Sequence, residues 1–526
     1  MNDYSQIDSS RSPPVVAVPR RYNAAVDFVD RNVAQGRSER TALIDDAGSY
    51  SYAELQARVN RAGNVLAGLG MQPEQRVVMC LLDGVDFPAL FFGAMKAGFV
   101  AVPVNTLLTS DDYEYILSDS RAPVVVVSAP LLEKFAPLAA RLPALKHVVV
   151  AGGEAPGRPN LAALMADAAP ELEAAETTAD DVGFWLYSSG STGRPKGAVH
   201  LHADLVHTVA LYGQGILGMT ENDVVFSAAK MFFAYGLGNA VSFPFYIGAT
   251  AVAIAERPTP EAVMRTLKQH QPTIFFGVPT LYGAILADSN LTRESSSARL
   301  RLCVSAGEAL PKQLGERWEE RFGAPILDGI GSTEMLHIFI SNRPDDNRYG
   351  STGRPVPGYQ VRLVDEAGVE VAAGEVGDLL VSGPSCSPCY WNNRVKSLAA
   401  FHGPWTVTGD KYVRDDDGYL TYAGRSDDML KVGGIWVSPF EVESALLGHD
   451  QVLEAAVVGE ADADRLIKPK AFIVLKDGAG DQALAGELQQ FVKERLAPYK
   501  YPRWIEFVDE LPKTATGKIQ RFKLRA

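Results

Sequence analysis

The chain has 526 residues, 47% of them apolar and 21% charged, with a formal net charge of −13 at pH 7. That length exceeds one domain of roughly 100–200 residues, and the apolar fraction excludes a mainly disordered chain. The acidic balance argues against a general nucleic-acid binder, which carries a basic surplus, although a nest of backbone N–H groups can still hold phosphate in an acidic protein.

In chain order, Met1 to Arg20 lacks the apolar core of a signal segment. Tyr52 to Leu69 reads as an amphipathic helix, Arg76 to Leu82 as a strand, Phe87 to Ala97 as a helix and Gly98 to Pro103 as a strand. Ala122 to Val127 and His147 to Val150 are further strands. Helices between short β-branched runs point to parallel sheet in an α/β fold. Met231 to Ala255 carries no charge, but its glycines and Pro244 favour buried helix, turn and strand over a membrane span. Pro260 to His270 is a helix with Thr259 as its cap, and Lys312 to Phe322 is another. Thr273 to Phe276 and Leu302 to Ser305 are strands. From about Tyr359 the texture turns antiparallel, with Gln360 to Val364 and Asp378 to Val381 as strands. Beyond Asp428, Pro439 to Leu447 and Gly486 to Leu496 read as helices, Val452 to Val458 and Pro469 to Leu475 as strands. The expected architecture is a large α/β region of several subdomains, 1–426, with mainly parallel sheets and a small β-rich part. A smaller, mobile α+β domain, 427–526, follows. Four cysteines make no disulfide framework and suit a reducing cytosol; Cys386 and Cys389 stand as a lone C-S-P-C without a partner motif.

Tyr187-Ser188-Ser189-Gly190-Ser191-Thr192-Gly193-Arg194-Pro195-Lys196-Gly197 follows the apolar run Val182 to Leu186. Glycines allow a sharp turn that brings N–H groups near an anion, the hydroxyls of Ser188, Ser189, Ser191 and Thr192 add donors, and Lys196 adds charge. This is neither a Walker A loop nor a dinucleotide fingerprint. It resembles the phosphate loop of the adenylate-forming superfamily of acyl- and aryl-CoA ligases, luciferases and peptide-synthetase adenylation domains. Four further stretches resemble that family's motifs in family order. They are Ile330-Gly331-Ser332-Thr333-Glu334, Thr408-Gly409-Asp410, Gly424-Arg425-Ser426-Asp427-Asp428 with Lys431, Gly433 and Gly434, and Pro512 to Arg521 around Lys518. Ile330 replaces the usual aromatic of the first.

The resemblance implies that a carboxylate attacks the α-phosphorus of ATP, pyrophosphate leaves, and the acyl-AMP is passed to coenzyme A. Positioning and charge neutralisation would do most of the catalysis. It makes Lys518, Thr333, Glu334 and the hinge Asp427 the catalytic set, with Glu334 on the Mg2+ side. Asp410 and Arg425 would meet the ribose or phosphates. Ser305 to Glu308, with Gly307 among them, and Asp328-Gly329 would wall the adenine, and Ser332 joins the nucleotide set. Lys431, within the hinge motif, joins the cofactor-binding set, and Gly433, Gly434 and Trp436 would line the path of the pantetheine arm.

Within the family, Ala228 to Gly236 together with Met335 to Phe339 looks most like benzoate–CoA ligases. Phe233, Ala234, Tyr235, Gly331, His337 and Ile338 are then the wall around an aromatic ring. The expected partners are a small aromatic carboxylate, ATP and CoA, with no nucleic acid and no membrane insertion, in the cytoplasm. A homodimer stays open. So do another aryl or medium-chain acid, a carrier-protein thiol as acceptor, and a nucleotide sensor without turnover.

Overall fold

The computed structural model describes residues 4–525 apart from Ala139, 189–193, Asp427, Gly433, Gly434, 463–465 and 514–518. Two sheets with parallel centres form the bulk of the N-terminal region. The first runs Lys196–Leu201, Val182–Ser188, Val100–Pro103, Arg76–Cys80, Val124–Ser128 and His147–Ala151 across its six strands. All its neighbours are parallel except the hairpin of Val182–Ser188 and Lys196–Leu201. The second has nine strands. Its parallel centre, from Ile326–Gly331 to Thr41–Asp45, is flanked by antiparallel edges. Strands buried on both faces read as continuous apolar runs, as in Val-Val-Val-Val-Ser of Val124–Ser128, every residue of which is buried.

Helices Tyr52–Gly68 and Asp86–Lys96 pack where Gly63 meets Gly93. A Cβ on Gly93 would lie 2.7 Å from the Val59 carbonyl oxygen, so the two backbones approach as only glycine permits. The uncharged stretch after Met231 is folded as Ala234–Leu237, a π-turn over Gly238–Ser242, helix Phe243–Ile247 and strand Thr250–Val252. Among the described residues no helix is long and apolar enough to cross a membrane.

A five-stranded antiparallel sheet follows, built on Gln360–Val364, Val376–Ser382 and Trp405–Arg414. Its neighbouring segment 389–391 lies along Lys196–Leu201, the edge strand of the first sheet. Ala198 bridges Tyr390, Val199 N–H donates to the Cys389 carbonyl (3.1 Å), and Trp391 N–H donates to that of Gly197 (2.8 Å).

The C-terminal part has strands Val452–Ala461, Ile467–Leu475 and Trp504–Phe507 under helices Pro439–Leu447 and Gln482–Lys493. Its main core, around Val442, Leu446, Val457, Ile473, Leu488 and Val492, draws on no described residue before Leu430. The last helix begins four residues before the expected Gly486 and ends at Lys493. Asp481 caps it, accepting from Leu484 N–H at 2.8 Å.

Candidate active site

The hairpin places Ser188 opposite Lys196 at its loop end, where the glycine-rich loop joins the strands. Ser189, Gly190, Ser191, Thr192 and Gly193 lie outside the described residues. Ser188 Oγ is buried without a partner. Lys196 Nζ donates to Tyr390 Oη (2.6 Å) and lies 3.4 Å from Glu334 Oε1. Tyr390 Oη donates to the same carboxylate oxygen at 2.7 Å. Burial works against the charge on Glu334, but the Lys196 ammonium and the Tyr390 hydroxyl outweigh it and hold its pKa below the ordinary value.

Glu334 sits on the turn between strands Ile326–Gly331 and Ile338–Ser341. Ser332 Oγ accepts from Met335 N–H (3.2 Å), and the Thr333 carbonyl accepts from Leu336 N–H (3.2 Å). Leu336 closes the turn at φ +67°, a left-handed conformation that a leucine adopts at a cost of about 1–2 kcal/mol. Gly331 pairs with Ile338 across the strands.

Several residues expected to wall the ring lie close to one another next to this turn. Tyr235 and His337 stand 5.7 Å apart by ring centroids, and Phe243 lies 4.5 Å from His337. Tyr235 Oη reaches the carbonyls of Gly277 (3.3 Å) and Val304 (3.2 Å), so its hydroxyl is spent on backbone. His337 bonds Asn239 through Nε2 (3.1 Å), and burial pushes its pKa down to about 3. It is therefore a neutral ring at any working pH. Gly238 makes room for it, since a Cβ there would lie 2.6 Å from His337 Nε2. Phe233 precedes helix Ala234–Leu237 and packs on Phe232 at 4.4 Å. Ala234 starts that helix, half-buried.

Of the residues expected to wall the adenine, Asp328 and Gly329 lie on the strand next to Leu302–Ser305, from which Gly307 (φ +92°) and Glu308 follow. Asp328 is buried, which pushes its carboxyl well above the carboxylate range. A Cβ on Gly329 would meet Ile338 Cγ2 at 2.9 Å, so this glycine lets the wall strand close in. Asp410 and Arg425 face each other across a hairpin, 3.1 Å apart. Ile519, the residue after Lys518, donates its N–H to Glu308 Oε1 at 3.3 Å and so ties the C-terminal tail to the adenine-side segment. Lys518, Asp427, Gly433 and Gly434 lie outside the described residues, and so do the side chains of Lys431 and Trp436, whose backbones pair in a short hairpin.

Sequence reasoning missed Tyr390 and His200. Tyr390 had only the aromatic pair Tyr390-Trp391 after C-S-P-C as a signal, and its partner Lys196 is 194 residues away. Nothing in the local pattern marks His200. Cys386 and Cys389 are both free thiols.

Residues 29–391 match the AMP-binding enzyme family and residues 441–518 match the AMP-binding enzyme C-terminal domain. The chain is 61% identical over 529 residues, the whole of both proteins, to a benzoate–CoA ligase of Thauera aromatica. Among solved structures it resembles a benzoate CoA ligase from Burkholderia xenovorans (TM-score 0.90, 52% identity, covering 96% of this chain and 100% of that one). It also resembles the anthranilate CoA ligase AuaEII in complex with anthranoyl-AMP (TM-score 0.93, 46% identity, 96% and 97% covered). With both of its parts matched, and with Lys196 after the glycine-rich loop paired to Glu334 on the turn after Gly331, the chain belongs to the AMP-binding enzyme family.

Proposed function

We propose that this protein is an AMP-forming acid–thiol ligase that joins an aromatic carboxylate, benzoate first, to coenzyme A through an acyl-AMP. The observation that carries the reading is the hydrogen-bonded Lys196–Tyr390–Glu334 cluster set beside an aromatic wall of Tyr235 and neutral His337. A wall without charge suits an unsubstituted ring, while the charges gather where phosphates would lie. The benzoate and anthranilate specificities named for the relatives agree with it.

The carboxylate would attack the α-phosphorus of ATP, expelling pyrophosphate. Lys196 and the hydroxyls of the glycine-rich loop would bind the phosphates, and Asp410 with Arg425 the ribose. Lys518 would bridge the substrate carboxylate and the α-phosphate, neutralising charge that grows in the transition state. The contact between Ile519 and Glu308 supports this by tethering the residue next to it. Among the described residues no group of three or more His, Cys, Asp or Glu could hold a metal alone. Mg2+ is commonly bound through one or two carboxylates plus substrate phosphates, which Glu334, kept ionised, fits. When bound it would supply charge compensation for the phosphates. The C-terminal domain would then turn about Asp427 and bring Gly433 and Gly434 to the thiol's path.

The test follows AMP and thioester formation with ATP, Mg2+ and CoA over benzoate, 2- and 4-hydroxybenzoate, 2-aminobenzoate, cyclohexanecarboxylate and hexanoate. Benzoate should lead, with one benzoyl-CoA per AMP. A lead for hexanoate would refute the ring wall, and adenylate without CoA consumption would point to a carrier-protein thiol.

A further inference from the structure

The strained turn that carries Glu334 is gripped at three successive carbonyls by two separate segments. Thr333 O receives a ring nitrogen of His200 (Nε2, 2.8 Å), Glu334 O receives Ser387 N–H (2.7 Å), and Met335 O receives Ser385 Oγ (2.7 Å). A left-handed leucine persists only where its surroundings over-determine it, and such strain clusters at functional sites. The His200 grip differs from the other two. The ring is fully buried and stacks on Phe184 at 5.2 Å, and its other nitrogen lies 2.9 Å from Asp204 Oδ2. That carboxylate oxygen is itself fixed by Leu201 N–H at 3.0 Å. A backbone carbonyl only accepts, so the ring donates to Thr333 O through Nε2, while Nδ1 meets the Asp204 carboxyl. Lys196 and His200 stand on the same strand, four residues apart, so one element places the cation beside the Glu334 side chain and braces the Glu334 backbone.

We infer that His200, braced by Asp204, is a positioning residue that fixes the Thr333–Leu336 turn and thereby aims the Glu334 carboxylate for acyl-AMP formation. This rests on the adenylating role of Glu334 given above. Supporting partners one layer out from a charged site typically control about 10–100-fold in affinity or activity. His200→Phe keeps a ring for the stack on Phe184 and removes both ring nitrogens.

Two measurements test this, using whichever aryl acid the wild type adenylates. In the first, His200→Phe should slow acyl-AMP formation about 10–100-fold and leave thioester formation from preformed acyl-AMP within about threefold. Equal loss in both half-reactions, or loss in neither, overturns the assignment. If His200→Phe does not fold, Asp204→Asn replaces it, with a smaller loss expected in adenylation alone and the same refuting outcomes. The second is amide hydrogen exchange on the ligand-free protein. The Met335 and Leu336 amides should exchange faster in the variant, while those of Ile326–Gly331 keep their rates. Unchanged exchange at Leu336 overturns the inference. A wild type that adenylates no aryl acid would sink the function proposed above, and the exchange measurement would still decide the positioning.

Discussion

Tyr390 donates to Glu334 and accepts from Lys196, so removing its one oxygen unties both. A hydrogen bond to a charged group contributes about 1.5–3 kcal/mol, and Tyr390→Phe should therefore slow acyl-AMP formation about 10-fold or more, read by ATP–pyrophosphate exchange. Gly238→Ala drives a methyl into His337. The ring wall then shifts, and the KM for benzoate should rise while thioester formation from preformed benzoyl-AMP changes little. His202 gives a pH prediction. Its Nδ1 accepts from Ala24 N–H at 3.1 Å, and burial pushes its pKa down to about 4. The unfolded chain binds that proton near pH 6.5 and the folded one only near 4. Stability is thus fully present above about 6.5 and declines as the pH falls toward 4. Denaturation midpoints at pH 7, 6 and 5 should drop in that order, and His202→Gln should flatten the trend.

At the scale of elements, legibility followed locality. Helix Pro260–His270 matches its expected limits, because Thr259 and Pro260 mark its start within two residues, and Thr259 Oγ1 does accept from Ala262 N–H. The start of Gln482–Lys493 was misplaced although Asp481 is an equally local cap, since alanine and glycine blur its apolar period. Six of the parallel strands were legible from their apolar and β-branched runs, whereas Thr41–Asp45, Val224–Ser227 and Ile326–Gly331 were not marked, and the motif residues Lys196, Glu334, Asp410 and Arg425 came from family resemblance. His200 and Tyr390 stayed hidden because their partners lie 133 and 194 residues off. Such contacts exist only after three sheets have met. Gly93→Val at the helix crossing should cost about 1–3 kcal/mol through overpacking. A thermal melt lowered by several degrees with kcat for benzoate unchanged would bear this out.

For the molecule as a whole, the contact between Ile519 and Glu308 joins the C-terminal part to the segment after strand Leu302–Ser305, and Arg521 pairs with Glu443 at 2.7 Å just beyond it. Glu308→Ala should slow acyl-AMP formation more than the thioester step, a split that single-turnover kinetics resolves. The strap 389–391 has a consequence of another kind. It caps the open flank of the first sheet along Gly197–Val199. Uncapped apolar flanks of this sort template self-association. A fragment ending at Pro388 should therefore precipitate or form large particles by light scattering, whereas one ending after Asn393 should stay dispersed. With that outcome, the few residues from Cys389 to Trp391 would act as a solubility guard for the N-terminal region.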